Sequence, residues 1–394
     1  MRMMYLLPQT NMTINDPVGN AIRIREIIRG FERIGGKAFI DSAGESKEDV
    51  AAMNAYRSGI RDKIPPRLAG TLRDGFFIYQ DYRSRERIYA RARAALPLDF
   101  LMEEYTHFRR AGVALSKEIK VPIFLDDIIP FWEAEQYHYR RELKRIALMI
   151  QRRVFKEAFG LIAVSGTIRD YIISEGGHPD HVHIIPNGAD VERFRPGIGG
   201  DRIRKQYNIP DERIVVGFLG SFLPWRGLPM LIEAAIALVP SNPNLHFMLV
   251  GDGDNRAELE AQVQAARIAE HVTFTGSVKF DAVPPYVDAM DITILPDSNE
   301  YTNPIKLFEY MALAKPTIAP SFSPIREIIT DGVDGKLFAP KDQDALNQAI
   351  LDLLANDTRR KAMSVQARQT VVERFTWEKH AEKIYTLSKG YSRN

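Results

Sequence analysis

The chain has 394 residues and no cysteine, with 45% hydrophobic residues, 26% charged residues and a net charge of +2. That length suits two or three folded domains, and the apolar fraction excludes a disordered chain. The lack of cysteine excludes a disulfide scaffold, a thiol nucleophile and thiolate-bound zinc or iron–sulfur clusters, while near-neutrality gives no overall case for nucleic-acid binding.

The N-terminus from Met1 to Pro8 has too short an apolar core for a secretory signal and no small-residue cleavage site. It reads as a buried strand at Met3–Leu7. No stretch reaches the roughly 18 apolar residues of a membrane-spanning helix, so the expectation is a cytoplasmic protein. Further strands are predicted at Ala38–Asp41, Phe76–Tyr79, Phe100–Glu103, Ile123–Leu125, Leu161–Val164 and His183–Ile185. Amphipathic stretches lie between them, such as Ala21–Ile34 with Ile24, Ile27, Ile28 and Phe31 at helical spacing. The alternation breaks at Pro186-Asn187-Gly188, and Ala189 to Arg213 is rich in Gly, Pro and charge, as at a domain boundary.

A second alternation follows. Strands are predicted at Ile214–Leu219, Leu245–Val250, Val272–Phe274, Ile292–Leu295, Thr317–Ala319 and Lys336–Phe338. Helices are predicted at Leu228–Leu238, Arg256–Ala269, Val283–Ala289, Ile305–Ala312, Ile325–Ile329, Gln343–Ala355 and Arg359–Phe375. Strands alternating with helices indicate parallel α/β sheets. Two doubly wound domains in tandem would bind ligands in a cleft at the carboxyl ends of their strands.

Three turns in the second half carry chemistry. Leu219-Gly220-Ser221 through Trp225-Arg226-Gly227 follows a strand and opens a helix, a setting in which backbone amides and a guanidinium suit an anion. A plain strand-to-helix turn with a solvated arginine accounts for it equally well. Val250-Gly251-Asp252-Gly253 has the first two glycines of a dinucleotide fingerprint, but Arg256 stands where the third belongs. A tight turn bordering a nucleotide suits it better than oxidoreduction. In Asp297 to Pro316 a strand runs into a polar loop, and Asn303-Pro304 begins a helix, with Pro304 near the first helical position. Glu309 lies on that helix, where its carboxylate would accept two ribose hydroxyls. A solvated helical glutamate is the ordinary alternative.

Together these residues resemble the retaining glycosyltransferases of family 4, which have the GT-B architecture. Val164-Ser165 and Ile185 to Phe194 are similar to the family's domain-boundary sequence. Gly220 to Gly227 resembles its diphosphate loop, and Gly276-Ser277-Val278 its nucleobase loop. Lys306-Leu307-Phe308-Glu309-Tyr310-Met311-Ala312 with Lys315-Pro316 resembles its donor-site helix. The resemblance implies two Rossmann-like, doubly wound α/β domains facing a central cleft. Residues 1–188 would form the acceptor-side domain and 189–375 the donor domain, with a C-terminal helix in 376–394 packing back on the first domain.

By the same resemblance, Arg226 and Glu309 are the catalytic candidates: Arg226 would neutralise the diphosphate and Glu309 would bind the ribose. Gly220, Ser221, Val278, Asn303, Pro304, Ile305, Lys306 and Leu307 would line the donor site. Gly19, in the loop Asp16 to Asn20, would face the donor phosphate. The co-substrate would be a nucleotide-diphosphate sugar, with no metal or other cofactor, and the acceptor a glycan, a lipid or a small molecule.

Three departures stand out. The family commonly pairs two glutamates eight positions apart, but Tyr301 stands eight before Glu309 and Glu300 is one place off. Ser221 stands where an arginine is common and Arg226 where a lysine is common, so one cation is lost unless Lys306 or another group replaces it. The loop after Ile123–Leu125 reads Asp126-Asp127-Ile128 in place of a histidine. Either aspartate would meet an acceptor hydroxyl or cap a helix.

The family's reaction needs no base–nucleophile pair. The sugar–phosphate bond loosens, the acceptor enters on the same face, and the leaving phosphate takes its proton, so the protein supplies positioning and charge. Another GT-B enzyme (a phosphorylase or an epimerase) and a non-catalytic sugar-nucleotide-binding protein are the alternatives. Residues 1–188 carry 29 basic and 24 acidic side chains, whereas 189–394 carry 24 and 27. The excess gathers in Arg83 to Arg93 and in Tyr139 to Arg153, which read either as packed helices with solvated arginines or as peripheral contacts with an anionic membrane. No aromatic stacking series accompanies them, which argues against nucleic acid.

Overall fold

Each half of the chain builds its own parallel sheet. The computed structural model describes residues 1–8, 13–16, 19–43, 65–126, 128–133 and 141–391. Two units are distinguished. The first comprises Met1–Pro186 together with the segment from Trp377 onward, and the second comprises Asn187–Thr376.

In the first unit the strands are β1 (Arg2–Leu7), β2 (Lys37–Ser42), β3 (Phe100–Glu104), β4 (Ile123–Asp126), β5 (Gly160–Ala163) and β6 (Val182–Ile184). They lie in the order β2-β1-β3-β4-β5-β6, and the direction of winding reverses between β1 and β3. Met3 to Leu7 of β1 and all of β3 and β4 are buried. Parallel strands covered on both faces read as continuous apolar runs, which is why these elements stood out in the sequence. The C-terminal helix Trp377–Ser388 packs on the helix Gly19–Arg33, burying Trp377 and pairing Arg33 with Glu378 at 2.9 Å.

One predicted strand is wrong. Phe76–Tyr79 lies inside the long helix Pro66–Ala95. A four-residue apolar run fits either conformation, and helical context on both sides decided it. Phe76, Phe77 and Ile78 are only partly buried, and Tyr79 is exposed. The inward face of this helix instead carries Asp74, Gln80, Asp81 and Ser84.

In the second unit the strands are β7 (Ile214–Leu219), β8 (Leu245–Val250), β9 (Val272–Phe274), β10 (Ile292–Ile294), β11 (Thr317–Pro320) and β12 (Lys336–Phe338). Their order, β12-β11-β10-β7-β8-β9, is that of a Rossmann sheet, with the reversal between β7 and β10. One face is covered by a cluster that includes Leu231, Phe247 and Ile350, the other by a cluster that includes Met248, Leu307 and Phe308. The stretch after Asn187 is less irregular than its composition predicts. It contains the helix Gly200–Gln206, anchored where the Asp288 carboxylate accepts from the amides of Gly197, Gly199 and Gly200. The predicted helix at Ile325–Ile329 is the shorter turn Ser323–Arg326, and that at Arg256–Ala269 ends at Ala265.

Candidate functional site

The reversal of strand order in the second sheet brings the ends of β7 and β10 side by side, with Val216 opposite Ile292 and Gly217 opposite Thr293. Open α/β sheets bind ligands outside the carboxyl ends of strands at such a point. The helix Ile305–Ala312 starts there. Leu307, Phe308 and Met311 are fully buried on it, each worth about 1.5–3 kcal/mol of apolar burial. Pro304 occupies the cap (φ −70°, ψ 121°), one residue before the predicted helical start. Leu307, predicted in the donor site, turns its side chain into the core, so only its backbone lies near the helix start.

Two side chains latch this helix to the end of β7. The backbone N–H of Leu219 donates to the Tyr310 hydroxyl at 2.8 Å, and Lys306 Nζ donates to the Leu219 carbonyl at 2.5 Å. Asn303 is held from upstream. Its Oδ1 accepts from the Asn187 amide at 2.9 Å, and its carbonyl accepts from Asn187 Nδ2 at 2.5 Å. The roles of Tyr310 and Asn187 were not read from the sequence. A tyrosine inside an otherwise apolar helical face, and an asparagine at the domain boundary, were the available signals.

Glu309 is buried, 5% exposed, which overturns the solvated reading of that residue. Arg226 ends the short turn Pro224–Arg226. Burial lowers its pKa, with the neighbouring Tyr310 opposing. The Lys306 ammonium is held well below the usual lysine range by burial and by Arg226, with Glu309 opposing. Burial pushes the Tyr310 phenol far up, and Glu309 adds to the shift. Arg226, Lys306, Glu309 and Tyr310 therefore form one electrostatic cluster.

The loops after β7, β8 and β9 are stitched together beside it. Gly220 and Phe222 donate to the carbonyls of Val250 and Asp252 at 2.9 and 2.8 Å, and Gly251 donates to Gly276 at 3.1 Å. Gly251 has φ +143°, and a Cβ there would lie 1.9 Å from the Gly220 carbonyl oxygen. Only glycine fits. Ser221 is exposed, and Val278, beyond the Gly276 turn, is half-buried. Arg256, which displaces the third glycine of a dinucleotide fingerprint, instead pairs with Asp252 and Glu260 at 3.0 and 2.7 Å. At the position eight before Glu309, Tyr301 is buried, while Glu300 is exposed.

In the first unit, Gly19 opens the helix Gly19–Arg33 and is exposed; Pro17 and Val18 of its loop lie outside the described residues. Asp126 ends β4 and is fully buried. Its carboxylate forms an ion pair with Arg23 and accepts from the Tyr5 hydroxyl at 3.1 Å. These two partners tie the end of β4 to β1 and to the helix Gly19–Arg33. Asp127 lies outside the described residues. His380, on the C-terminal helix, donates from Nδ1 to the Pro186 carbonyl at 3.0 Å. Burial, reinforced by Arg23, lowers its pKa to about 4.

A narrow recess also opens at the carboxyl ends of β1 and β3, lined by Leu6, Leu7 and Ile88 together with Asp81, Glu103 and Arg109 among others. Asp81 reaches from the helix Pro66–Ala95 to accept from the amides of Arg110 and Ala111, both at 3.1 Å, and so caps the helix Ala111–Ile119. Burial and the nearby Asp81 push the pKa of Glu103 up to about 8, against the pull of Arg109. The sequence reading passed over these groups. Two consecutive acidic residues, Glu103-Glu104, at the end of an apolar strand were the visible sign.

The basic stretches are partly neutralised. Arg87 and Arg91 both pair with Asp41 at 3.2 Å, Arg152 pairs with Glu175 at 3.2 Å and Arg153 with Glu157 at 2.8 Å. Tyr139 and Arg140 lie outside the described residues. Leu68, Leu72, Tyr79 and Tyr82 are exposed and recur along one stripe of the helix Pro66–Ala95. Among the described residues, no group of three or more His, Cys, Asp or Glu is placed to hold a metal ion, and no helix is long and apolar enough to cross a membrane.

Known proteins resemble both halves of the chain. The profile of the family described as Glycosyl transferases group 1 matches residues 200–370, and that of Glycosyltransferase Family 4 matches residues 76–193. A GDP-mannose-dependent alpha-(1-6)-phosphatidylinositol monomannoside mannosyltransferase of Mycolicibacterium smegmatis is 27% identical over 252 residues, 62% of this chain and 66% of that protein. A D-inositol 3-phosphate glycosyltransferase of Corynebacterium urealyticum is 26% identical over 55% of this chain and 54% of that protein. The chain thus spans between half and two thirds of these relatives' length. Among solved structures, Anabaena Alr3699/HepE in complex with UDP superposes with a TM-score of 0.70 at 18% identity, covering 99% of this chain and 100% of that one. The sucrose-phosphate synthase of Thermosynechococcus elongatus superposes with a TM-score of 0.71 at 19% identity, covering 98% of each. These likenesses establish the fold.

Proposed function

The chain belongs to the group 1 glycosyltransferases of family 4, with two Rossmann-like domains of the GT-B type, and on that premise we propose that it moves a sugar from a nucleotide-diphosphate sugar to an acceptor hydroxyl. The transfer retains the anomeric configuration and needs no metal. The observation that carries this reading is the cluster of Arg226, Lys306, Glu309 and Tyr310, gathered beside glycine turns where β7 and β10 part.

Each part has a task. The start of the helix Ile305–Ala312 faces the diphosphate with positive partial charge. Arg226 stabilises the negative charge that grows on the leaving phosphate as the sugar–oxygen bond lengthens. Glu309 accepts the two ribose hydroxyls. The region around Val278 borders the nucleobase, and the backbone at Asn303, Pro304 and Ile305 faces the donor sugar. The acceptor hydroxyl gives its proton to the leaving phosphate oxygen, so positioning takes the place of a protein base.

The acceptor is a lipid-linked or small glycoside, in keeping with relatives named for transfer to phosphatidylinositol monomannoside and to inositol phosphate. The exposed stripe Leu68, Leu72, Tyr79 and Tyr82, on a helix that also carries Arg83, supports peripheral contact with an anionic cytoplasmic membrane face. Flotation with anionic vesicles at low salt tests that contact, and failure to float refutes it.

The test of function is release of nucleoside diphosphate from a panel of UDP- and GDP-sugars, with and without glycoside acceptors. Acceptor-dependent release of the diphosphate and a product of unchanged anomeric configuration are expected. Inversion of that configuration, or turnover that requires a divalent cation, refutes the mechanism. A protein that binds none of the panel refutes the donor-site reading.

A further inference from the structure

A diphosphate brings two or three negative charges to a site, and the loop from Gly220 to Gly227 holds one basic side chain, Arg226. Ser221, the residue of that loop beside the strand end, is neutral and exposed. A second basic group nevertheless stands beside the same turn, delivered from another element.

Lys306 belongs to the helix Ile305–Ala312, yet its ammonium lies against the end of β7. It donates to the Leu219 carbonyl at 2.5 Å and sits 4.4 Å from the centre of the Phe218 ring. Its nitrogen fills the space a side chain at Gly220 would need: a Cβ there would fall 2.4 Å from Nζ. Gly220, at φ +148° and without a side chain, is what admits the ammonium to the turn.

The arrangement is unfavourable without a ligand. Lys306 and Arg226 are both desolvated, and Arg226 disfavours the charge on Lys306. Among the described residues neither forms a salt bridge, and the Arg226 Nε is buried without a hydrogen-bond partner. Two enclosed basic groups with Glu309 as the one carboxylate acting on Lys306 are a cost to the fold, and a bound anion lowers it. The oxygens of a diphosphate have the charge to meet both a planar guanidinium and an ammonium point charge.

We propose that Lys306 is the second diphosphate-binding cation of the donor site, supplied from the helix after β10 in place of a charge that Ser221 does not carry. This rests on the donor-site reading above and deepens it. Arg226 and Lys306 then act as a pair on the leaving group, and the charge is relocated from loop to helix rather than lost.

Inorganic pyrophosphate, which has neither base nor sugar, isolates the interaction. Its binding to the whole chain is measured by titration calorimetry in EDTA for the native protein, Lys306→Gln, Arg226→Gln and Lys306→Gln combined with Ser221→Arg. Gln keeps a donor for the Leu219 carbonyl but has no charge, and melting temperatures without ligand report whether each variant is folded. The expectation is binding weakened about tenfold or more in Lys306→Gln, weakened comparably in Arg226→Gln, and recovered in part by Ser221→Arg. A folded Lys306→Gln that binds pyrophosphate like the native chain, while Arg226→Gln is impaired, overturns this proposal and leaves the donor site standing. If Lys306→Gln does not fold, Lys306→Arg replaces it: retained pyrophosphate binding supports a role for charge, and a loss equal to that of Arg226→Gln overturns it. A native chain that binds neither pyrophosphate nor UDP or GDP overturns both readings.

Discussion

Replacing Glu103 with Gln is expected to remove a pH dependence from the stability of the first unit. The carboxyl titrates near 8 in the fold and near 4.5 when unfolded, because it is enclosed at the end of β3 beside Asp81. Between those values the folded form keeps a proton that the unfolded chain has released, so stability falls as pH rises. The contribution is fully present below about 4.5 and is lost once the pH passes 8. From pH 6 to pH 8 this one group removes about 2 kcal/mol, since each pH step in that window costs roughly 1.4 kcal/mol until the folded carboxyl itself begins to ionise. The displaced histidines of this unit, His107 near 3, His380 near 4 and His183, also lowered, act in the opposite sense, but both chains carry them, so the difference between the chains isolates the carboxyl. Gln preserves shape and does not titrate. Urea unfolding at pH 6, 7 and 8 in a Trp225→Phe background reads Trp132 and Trp377, both in the first unit. The native chain should lose about 2 kcal/mol relative to Glu103→Gln across that range. Two curves that run parallel from pH 6 to pH 8 refute the placement of a protonated carboxyl in the recess.

Three other outcomes follow from the geometry. Glu309→Ala should weaken UDP or GDP binding by roughly ten- to a hundredfold, the worth of hydrogen bonds to a charged acceptor; unchanged affinity by calorimetry removes Glu309 from the donor site. Gly251→Ala should cost roughly 3 kcal/mol or more in the second unit, since a Cβ would meet the Gly220 carbonyl and the residue would be forced into a left-handed conformation. Native-like urea unfolding of that variant would show the loops after β7 and β8 to be less tightly joined. His380→Gln should flatten the acid side of stability. The imidazole is held neutral down to about 4 in the fold against 6.5 unfolded, so its contribution is present above 6.5 and about 3 kcal/mol is lost as pH falls to 4. Equal acid sensitivity of native and variant chains contradicts this.

The strands and the donor helix were legible because parallel strands buried on both faces, and a helix with one apolar stripe, write their burial directly into residue order. Ile214–Leu219 and Ile305–Ala312 were predicted with the bounds observed. The glycines and proline of the donor loops were equally readable, since positive φ and helix starts narrow the choice of residue. Phe76–Tyr79 shows the limit of such reading. Four apolar residues do not specify a conformation, and the helix around them buries Asp81 and Gln80 while leaving Tyr79 in solvent. Local pattern also left open whether Glu309 met water, where Asp126 turned, and where Lys306 delivered its charge. Those outcomes depend on strand order. Only when β10 lies against β7 does a lysine at 306 reach the carbonyl at 219, and only when β4 lies near the helix Gly19–Arg33 does Asp126 meet Arg23. Chain order records what each residue prefers, and the pairing of distant strands decides which preferences meet and hence which charges lose their water.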